Sequence, residues 1–293
     1  MDGTIASLLA RLDLETLSDD LFQGTSPQGG RRVFGGQVVA QALVAAQRTV
    51  DPERPAHSLH GYFMRPGDPA RPIAYRVERL RNGGSFSTRR VDAVQAGEVI
   101  FSMLASFQRI EEGLTHQAGM PDVPPPENLP SGPDLTQRLL AAAPEPVQRY
   151  WLRPRPFEFR PVSLDHYLTA ERLEPAQQIW IRLTEPTELN PAASRAVLAY
   201  LSDLTLLDVS LFAHGTAVYD PRLQVASLDH ALWFHRPVVP FDDWLLYAQD
   251  SPATSGGRGF SRGSLFTRDG RLVASVAQEG LIRRRRRDGR TPA

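Results

Sequence analysis

Tyr200-Leu-Ser-Asp-Leu-Thr-Leu-Leu-Asp208 lies inside a longer run from Ala193 to Phe212. Apolar residues stand on nearly every side of Asp203: Ala196, Val197, Leu198, Leu201, Leu204, Leu206, Leu207 and Val209. A helix without a wide polar face is normally buried. A lone ionised carboxylate is costly to bury unless it is paired or hydrogen-bonded. Two readings of Asp203 follow. Either Ser202 or Asp203 caps a new helical segment, or a buried helix aims a carboxylate into a reaction chamber, where perturbed groups gather. Local sequence leaves both open.

Upstream, Thr4–Leu17 has leucines at near-helical spacing, and a Gly/Ser/Pro loop follows from Gly24 to Gly30. Phe34 to Gln47 then reads as a second helix with little polar surface beyond its glutamines. Gly35-Gly36 opens it, either as a tight helix entry or as a place where another backbone or a ligand comes close. The period then changes to two. His57–Met64, Ile73–Leu80, Phe86–Gln95 and Val99–Gln108 read as strands, punctuated by Pro and Gly. One helix followed by a strand meander predicts a helix wrapped by an antiparallel sheet, an α+β unit. Residues 121–161 hold 11 of the 25 prolines, too many for helix interiors or central strands, so they read as a linker with one short helix near Asp134–Ala143.

Around the Asp203 run the plan repeats. Gln177–Leu183 precedes it as a strand, and Gln224–Phe234, Trp244–Gln249, Phe260–Thr267 and Leu272–Ile282 follow. Local words recur too: Ser58-Leu59 leads to Arg65-Pro66, and Ser227-Leu228 leads to Arg236-Pro237. The chain is read as a tandem duplication, with units at 1–120 and 162–293 and the linker between.

Composition narrows the chemistry. Formal net charge is zero over 293 residues, so no global field favours nucleic acid or an acidic membrane. There is no cysteine, which excludes disulfides, thiolate nucleophiles and Cys-ligated metal. All 33 basic residues are arginine, which excludes a P-loop or Schiff-base lysine. No apolar run approaches the length of a transmembrane helix, and Met1–Leu21 lacks a basic signal-peptide region. The final Arg-Thr-Pro-Ala is not a peroxisomal address. The expected compartment is the cytoplasm.

Three motifs have competing explanations. Gly259-Phe-Ser-Arg-Gly263 matches the nucleophile-elbow pattern, but strand-turn-strand follows it rather than a helix, and no histidine lies downstream of Ser261. It is read as coincidence. His57/His60 and His230/His235 lack metal-site spacing and an accompanying acidic cluster, so they read as strand-borne or packed imidazoles. Arg283–Arg287 reads as a solvated tail, with phosphate contact as the alternative. More telling is Leu272-Val-Ala-Ser-Val-Ala-Gln-Glu-Gly280. On a strand, Gln278 shares a face with Leu272, Ala274 and Val276, and an amide there needs partners.

Taken together, several segments resemble acyl-CoA thioesterase II, the TesB family. They are Val33–Leu43, His57–Asp68, Ser85–Val91, Pro156–Pro161, Ser202–Leu204, Asp229–Pro237 and Val273–Gly280, in order across roughly Leu21 to Arg283. The resemblance implies a double hot-dog fold, acyl-CoA as substrate and hydrolysis to fatty acid and CoA. It implies no cofactor and no metal, and a homo-oligomer paired through sheet edges. It carries the catalytic roles onto Asp203, Ser227 and Gln278, which would hold one water without a covalent acyl-enzyme. Ser227 stands where relatives often place Thr. Two alternatives remain: an enoyl-CoA hydratase or dehydratase, which would want a His beside the helical Asp, and a non-catalytic acyl-CoA binding protein.

Overall fold

The computed structural model of the chain describes residues 3–237 and 239–285. The first unit runs α1 (Ile5–Leu12), β1 (Glu15–Ser18), β2 (Leu21–Gly24), α2 (Gly35–Gln47), β3 (Ala56–Phe63), β4 (Ile73–Asn82), β5 (Phe86–Gln95) and β6 (Glu98–Gln108). The proline-rich stretch carries α3 (Gly132–Ala142) and α4 (Glu145–Trp151). The second unit runs β7 (Phe157–Pro161), α5 (Asp165–Leu168), β8 (Ala176–Leu183), α6 (Pro191–Ser202), α7 (Val209–Phe212), β9 (Leu223–Ser227), β10 (Asp229–Phe234), β11 (Leu245–Ser255), β12 (Arg258–Thr267) and β13 (Leu272–Arg284).

All strands join one antiparallel sheet in the order β1-β2-β4-β5-β6-β3-β10-β13-β12-β11-β8-β7, with β9 also paired to β13. The halves meet at β3 and β10, where Leu59 lies opposite Leu232. On the inner face α2 packs against α6 and against β3 to β6. Small side chains permit that approach: Ala40, Ala42, Ala45 and Ala46 on α2, and Ala196 and Ala199 on α6, are fully buried. Larger residues between them, Leu43 and Leu198, each contribute roughly 1.5–3 kcal/mol by leaving water. Two glutamines of α2 also turn inward. Gln41 Nε2 donates to the Arg11 carbonyl at 2.7 Å, and its Oε1 accepts from Tyr75 Oη at 2.6 Å. These bonds fasten the N-terminal segment to the central helix.

Several elements depart from expectation. The Asp203 run is not one helix. α6 ends at Ser202, a turn follows, and α7 starts at Val209. Gln224–Phe234 is not one strand either, because β9 and β10 are separated at Leu228. Phe157–Pro161, expected in the linker, forms edge strand β7 against β8, and β1 and β2 were not expected at all. α1 stops at Leu12 rather than continuing to Leu17. Of the arginine tail, Arg283 and Arg284 belong to β13, while Arg286 and Arg287 lie outside the described residues. Among the described residues no helix is long and apolar enough to cross a membrane.

Candidate active site

Asp203 is the residue that ends α6. It stands at the C-cap with helical backbone angles, and its N–H bonds back to Leu201. It therefore caps no new helix from the N-terminal side. Two residues on, Thr205 has a φ of +65°, a conformation that β-branched residues rarely adopt. The surroundings hold it there. Gln249 Nε2 donates to Thr205 Oγ1 at 3.0 Å, and Gln177 Nε2 donates to its carbonyl at 3.3 Å. This reversal turns the chain away and leaves the Asp203 side chain facing a cavity of about 850 Å³.

Opposite Asp203 is the start of α2. A Cβ on Gly35 would come within 2.9 Å of Asp203 Oδ2, and one on Gly36 within 2.6 Å of the Tyr200 carbonyl. Both close approaches require glycine, so of the two readings of this pair, the close approach holds. The Gly36 N–H favours the charged form of the Asp203 carboxyl. The first N–H groups of a helix have no intrahelical acceptor and carry its positive end. Asp203 thus sits where the C-terminus of one central helix meets the N-terminus of the other.

The structure brings all three expected residues together. Ser227, the last residue of β9, donates to Asp203 Oδ1 at 3.5 Å. Gln278, almost fully buried on β13, donates from Nε2 to Ser227 Oγ at 2.7 Å. Burial pushes the Asp203 carboxyl above the usual carboxylate range. The His230 ring, the Gln278 amide, the Gly36 N–H and the Ser227 hydroxyl oppose that shift. All three side chains line the cavity.

Its walls are two-natured. Val33, Val38, Phe63, Ile100, Phe101 and Leu204 form an apolar stretch, while Arg31, Arg32, Arg65 and Arg153, all exposed, stand at its open rim. A second carboxylate, Asp208, also lines it. Burial raises Asp208 to about 7, against the hydrogen bond from Tyr167 Oη and the charge of Arg155.

Ser261 lies in mid-strand, opposite Gln278 in the β12–β13 ladder, fully buried and outside the cavity lining. The glycines of its motif have packing reasons. A Cβ on Gly259 would strike Ser210 Oγ at 2.6 Å, and one on Gly263 would strike Tyr247 Cε2 at 2.4 Å. The histidine pairs are likewise occupied. His57 Nε2 meets Ser106 Oγ at 2.8 Å, His235 Nε2 meets Ser275 Oγ at 2.9 Å, and His60 packs edge-on against Trp233. His230 is different: it bonds Gln278 itself, Nδ1 to Oε1 at 2.8 Å. The signal was available, since His230 shares the inner face of its strand with Leu232 and Phe234, as Gln278 does with its neighbours.

Sheet-wrapped helices in tandem define the hot-dog class of fold, and here they close on a carboxylate, a hydroxyl and an amide. Comparisons agree. A hot-dog-fold protein from Alicyclobacillus acidocaldarius superposes with a TM-score of 0.74 at 22% identity, over 98% of this chain and 99% of that one. At closer range, residues 22–108 match the family described as acyl-CoA thioesterase N-terminal domain, and residues 151–281 match acyl-CoA thioesterase. Acyl-CoA thioesterase 2 of Haemophilus influenzae is 39% identical over 97% of this chain and 99% of its own length. The crystal structure of acyl-CoA thioesterase II TesB2 from Mycobacterium marinum is 45% identical, with a TM-score of 0.78 over 94% of this chain and 98% of that one. The chain has the double hot-dog fold and belongs to the acyl-CoA thioesterase family, a family of thioester hydrolases.

Proposed function

We propose that the cavity hydrolyses medium- to long-chain acyl-CoA to fatty acid and CoA through one water held by Asp203, Ser227 and Gln278. The observation that carries this reading is the chain of contacts Gln278–Ser227–Asp203 set against the N-terminus of α2. Asp203 takes a proton from the water, and the water oxygen adds to the thioester carbonyl carbon. The developing oxyanion is stabilised by N–H groups at the start of α2, whose positive end points into the site. The carbon–sulfur bond then breaks, and the proton held by Asp203 passes to the departing CoA sulfur. Ser227 accepts from Gln278 and donates to Asp203, a role that orients and needs no acyl-serine.

The apolar wall suits an acyl chain, and the exposed arginines at the rim suit the phosphates of CoA. Lining residues come from both units, so 1–120 and 162–293 act as one catalytic body. Exposed Tyr62 and Leu104 on the outer sheet face, together with edge strands β1 and β7, support assembly into a homo-oligomer.

The test is Asp203→Asn. We expect kcat to fall about a hundredfold or more, on the scale of a lost general base, in a protein that melts cooperatively. In the unmodified enzyme, kcat/KM should fall on the acid side at a pH above the ordinary carboxylate range, because burial raises Asp203. Near-normal turnover of a folded Asp203→Asn protein would sink the assignment.

A further inference from the structure

A glutamine amide has two faces, a carbonyl that accepts and an NH2 that donates. For Gln278 only one orientation serves the chemistry. With Nε2 toward Ser227, the amide donates to the hydroxyl that in turn donates to the Asp203 carboxylate, and its NH2 favours that carboxylate's charged form. Rotated by half a turn, Oε1 would face the carboxylate, acceptor against acceptor. The group on the far side of the amide decides which orientation holds, because amide direction follows the surrounding hydrogen bonds.

That group is His230. It is fully buried, and its Nδ1 lies 2.8 Å from Gln278 Oε1. Oε1 carries no proton, so Nδ1–H must be the donor. The other ring nitrogen lies 2.8 Å from Ser202 Oγ. Ser202 is itself fixed in the last turn of α6. Its Oγ sits 3.0 Å from the Ala199 carbonyl, and its own carbonyl accepts from Tyr247 Oη at 2.7 Å. The contacts therefore form a closed ring of named residues. α6 ends in Ser202 and Asp203; Ser202 holds His230, His230 holds Gln278, Gln278 holds Ser227, and Ser227 returns to Asp203.

We propose that His230 is the positioning residue of this site: its Nδ1–H, braced by Ser202 at Nε2, locks the Gln278 amide with its NH2 toward Ser227, Asp203 and the attacking water. The inference rests on the reading of Gln278 as one of the groups that hold that water. His230 does not line the cavity and acts through Gln278. The first half of the molecule shows that the fold itself has no need of an imidazole there. Leu59 lies opposite Ala105 across β3 and β6, while His230 follows one step beyond the Ala231–Ala277 pair and so faces Gln278. Registering the final strands on their turn glycines, Gly97 and Gly270, makes Ala105 the counterpart of Gln278, and strand pairing then makes Leu59 the counterpart of His230 rather than of Leu228, as the shared Ser-Leu words had it. The imidazole occurs where the amide occurs and is replaced by an apolar residue where the amide is missing.

The experiment measures steady-state CoA release in His230→Leu, Gln278→Ala and the double variant, with melting curves as the folding check. His230→Leu should lower kcat about 10- to 100-fold, the scale of a misplaced reacting group, with KM changed less than about twofold. In the Gln278→Ala background the same substitution should cost less than about twofold, because the group it positions is gone. A merely structural histidine would lower activity by the same factor in both backgrounds, and that result would overturn the inference. So would wild-type kcat in His230→Leu beside an impaired Gln278→Ala. Near-normal turnover of Gln278→Ala would instead remove the reading underneath. A second pair keeps the test decisive should the leucine variant not fold. His230→Asn places an N–H donor near the Nδ1 position, and His230→Gln places one near Nε2. The asparagine should recover most of kcat and the glutamine should not; equal activity in both would refute the proposal.

Discussion

Leu59, Ala105 and Arg89 form one row across β3, β6 and β5 of the first half. His230, Gln278 and Ser261 form the matching row across β10, β13 and β12 of the second. The central helices match as well. α2 and α6 run past each other so that the end of each meets the start of the other. At one junction the Asp203 carboxylate lies against Gly35 at the start of α2. At the other, Gln47 Nε2 reaches the Ala192 carbonyl at 3.4 Å and Arg195 Nε lies 3.4 Å from Gln47 Oε1. Equivalent places in one duplicated fold thus carry an acid and an open cavity on one side, and an amide and a filled interior on the other. The filling is Arg89, which is 2% exposed. It donates to Thr49 Oγ1, the Thr49 carbonyl, Asn82 Oδ1 and the Arg81 carbonyl. A guanidinium with that many fixed acceptors is a clamp on the end of α2. The difference shows how duplication separates duties: one copy of the row is packed around an internally bonded arginine, and the other presents a glutamine to the cavity, backed by a buried histidine.

The most direct way to break this contrast is to count sites. Calorimetric titration with a non-hydrolysable acyl-CoA analogue should give about one molecule per chain, and two equivalent sites would show that the first half is not merely structural. Next comes the clamp. Arg89→Leu strands the Thr49 and Asn82 acceptors and should cost about 2–4 kcal/mol in chemical denaturation, with kcat in the surviving folded protein near normal. A loss of kcat as large as that of Asp203→Asn would mean that the two rows are not separate in function.

The third probe concerns Asp208. The segment after α2 leaves its carboxylate, Asp51, exposed, whereas the segment after α6 buries Asp208 and raises it to about 7. A carboxyl raised in the folded state favours folding fully below its unfolded value. That contribution is lost as pH rises through the folded value. Asp208→Asn, neutral at every pH, should therefore match the parent near pH 4. It should become more stable than the parent above pH 7, by roughly 2–4 kcal/mol at about 1.4 kcal/mol per pKa unit. Equal pH–stability curves would place Asp208 in contact with water or a cation. The smallest effect is expected at Ser261. Its buried Oγ has no partner among the described residues, so Ser261→Ala should stay within about twofold in kcat and lose no stability. Serine-directed phosphonates should leave it unlabelled; stoichiometric labelling would revive the elbow reading.

Much of this was legible in the chain. Period-two and period-3.6 patterns separate the strands from the two central helices, and an apolar run around Asp203 and an amide on an apolar strand face mark two of the three site residues. The glycines of the false elbow illustrate what was not. Gly259 and Gly263 are required by Ser210 and Tyr247, residues 49 and 16 positions upstream, which no local pattern connects to them. The break between α6 and α7 was hidden for the same reason. Thr205 is held in its left-handed conformation by Gln177 and Gln249 from two strands, and without those bonds its own preference would be extended or helical.

By itself, then, the sequence determined the two central helices, most of the strands around each and that a carboxylate and an amide would be enclosed among apolar neighbours. These depend on side-chain type and spacing, and both are local. Only the tertiary structure decided that Asp203 meets the start of α2, that Ser227 bridges it to Gln278, and that His230 stands behind the amide. Each of those contacts joins residues from separate elements, so its geometry depends on sheet register and helix packing, and these are properties of the whole chain.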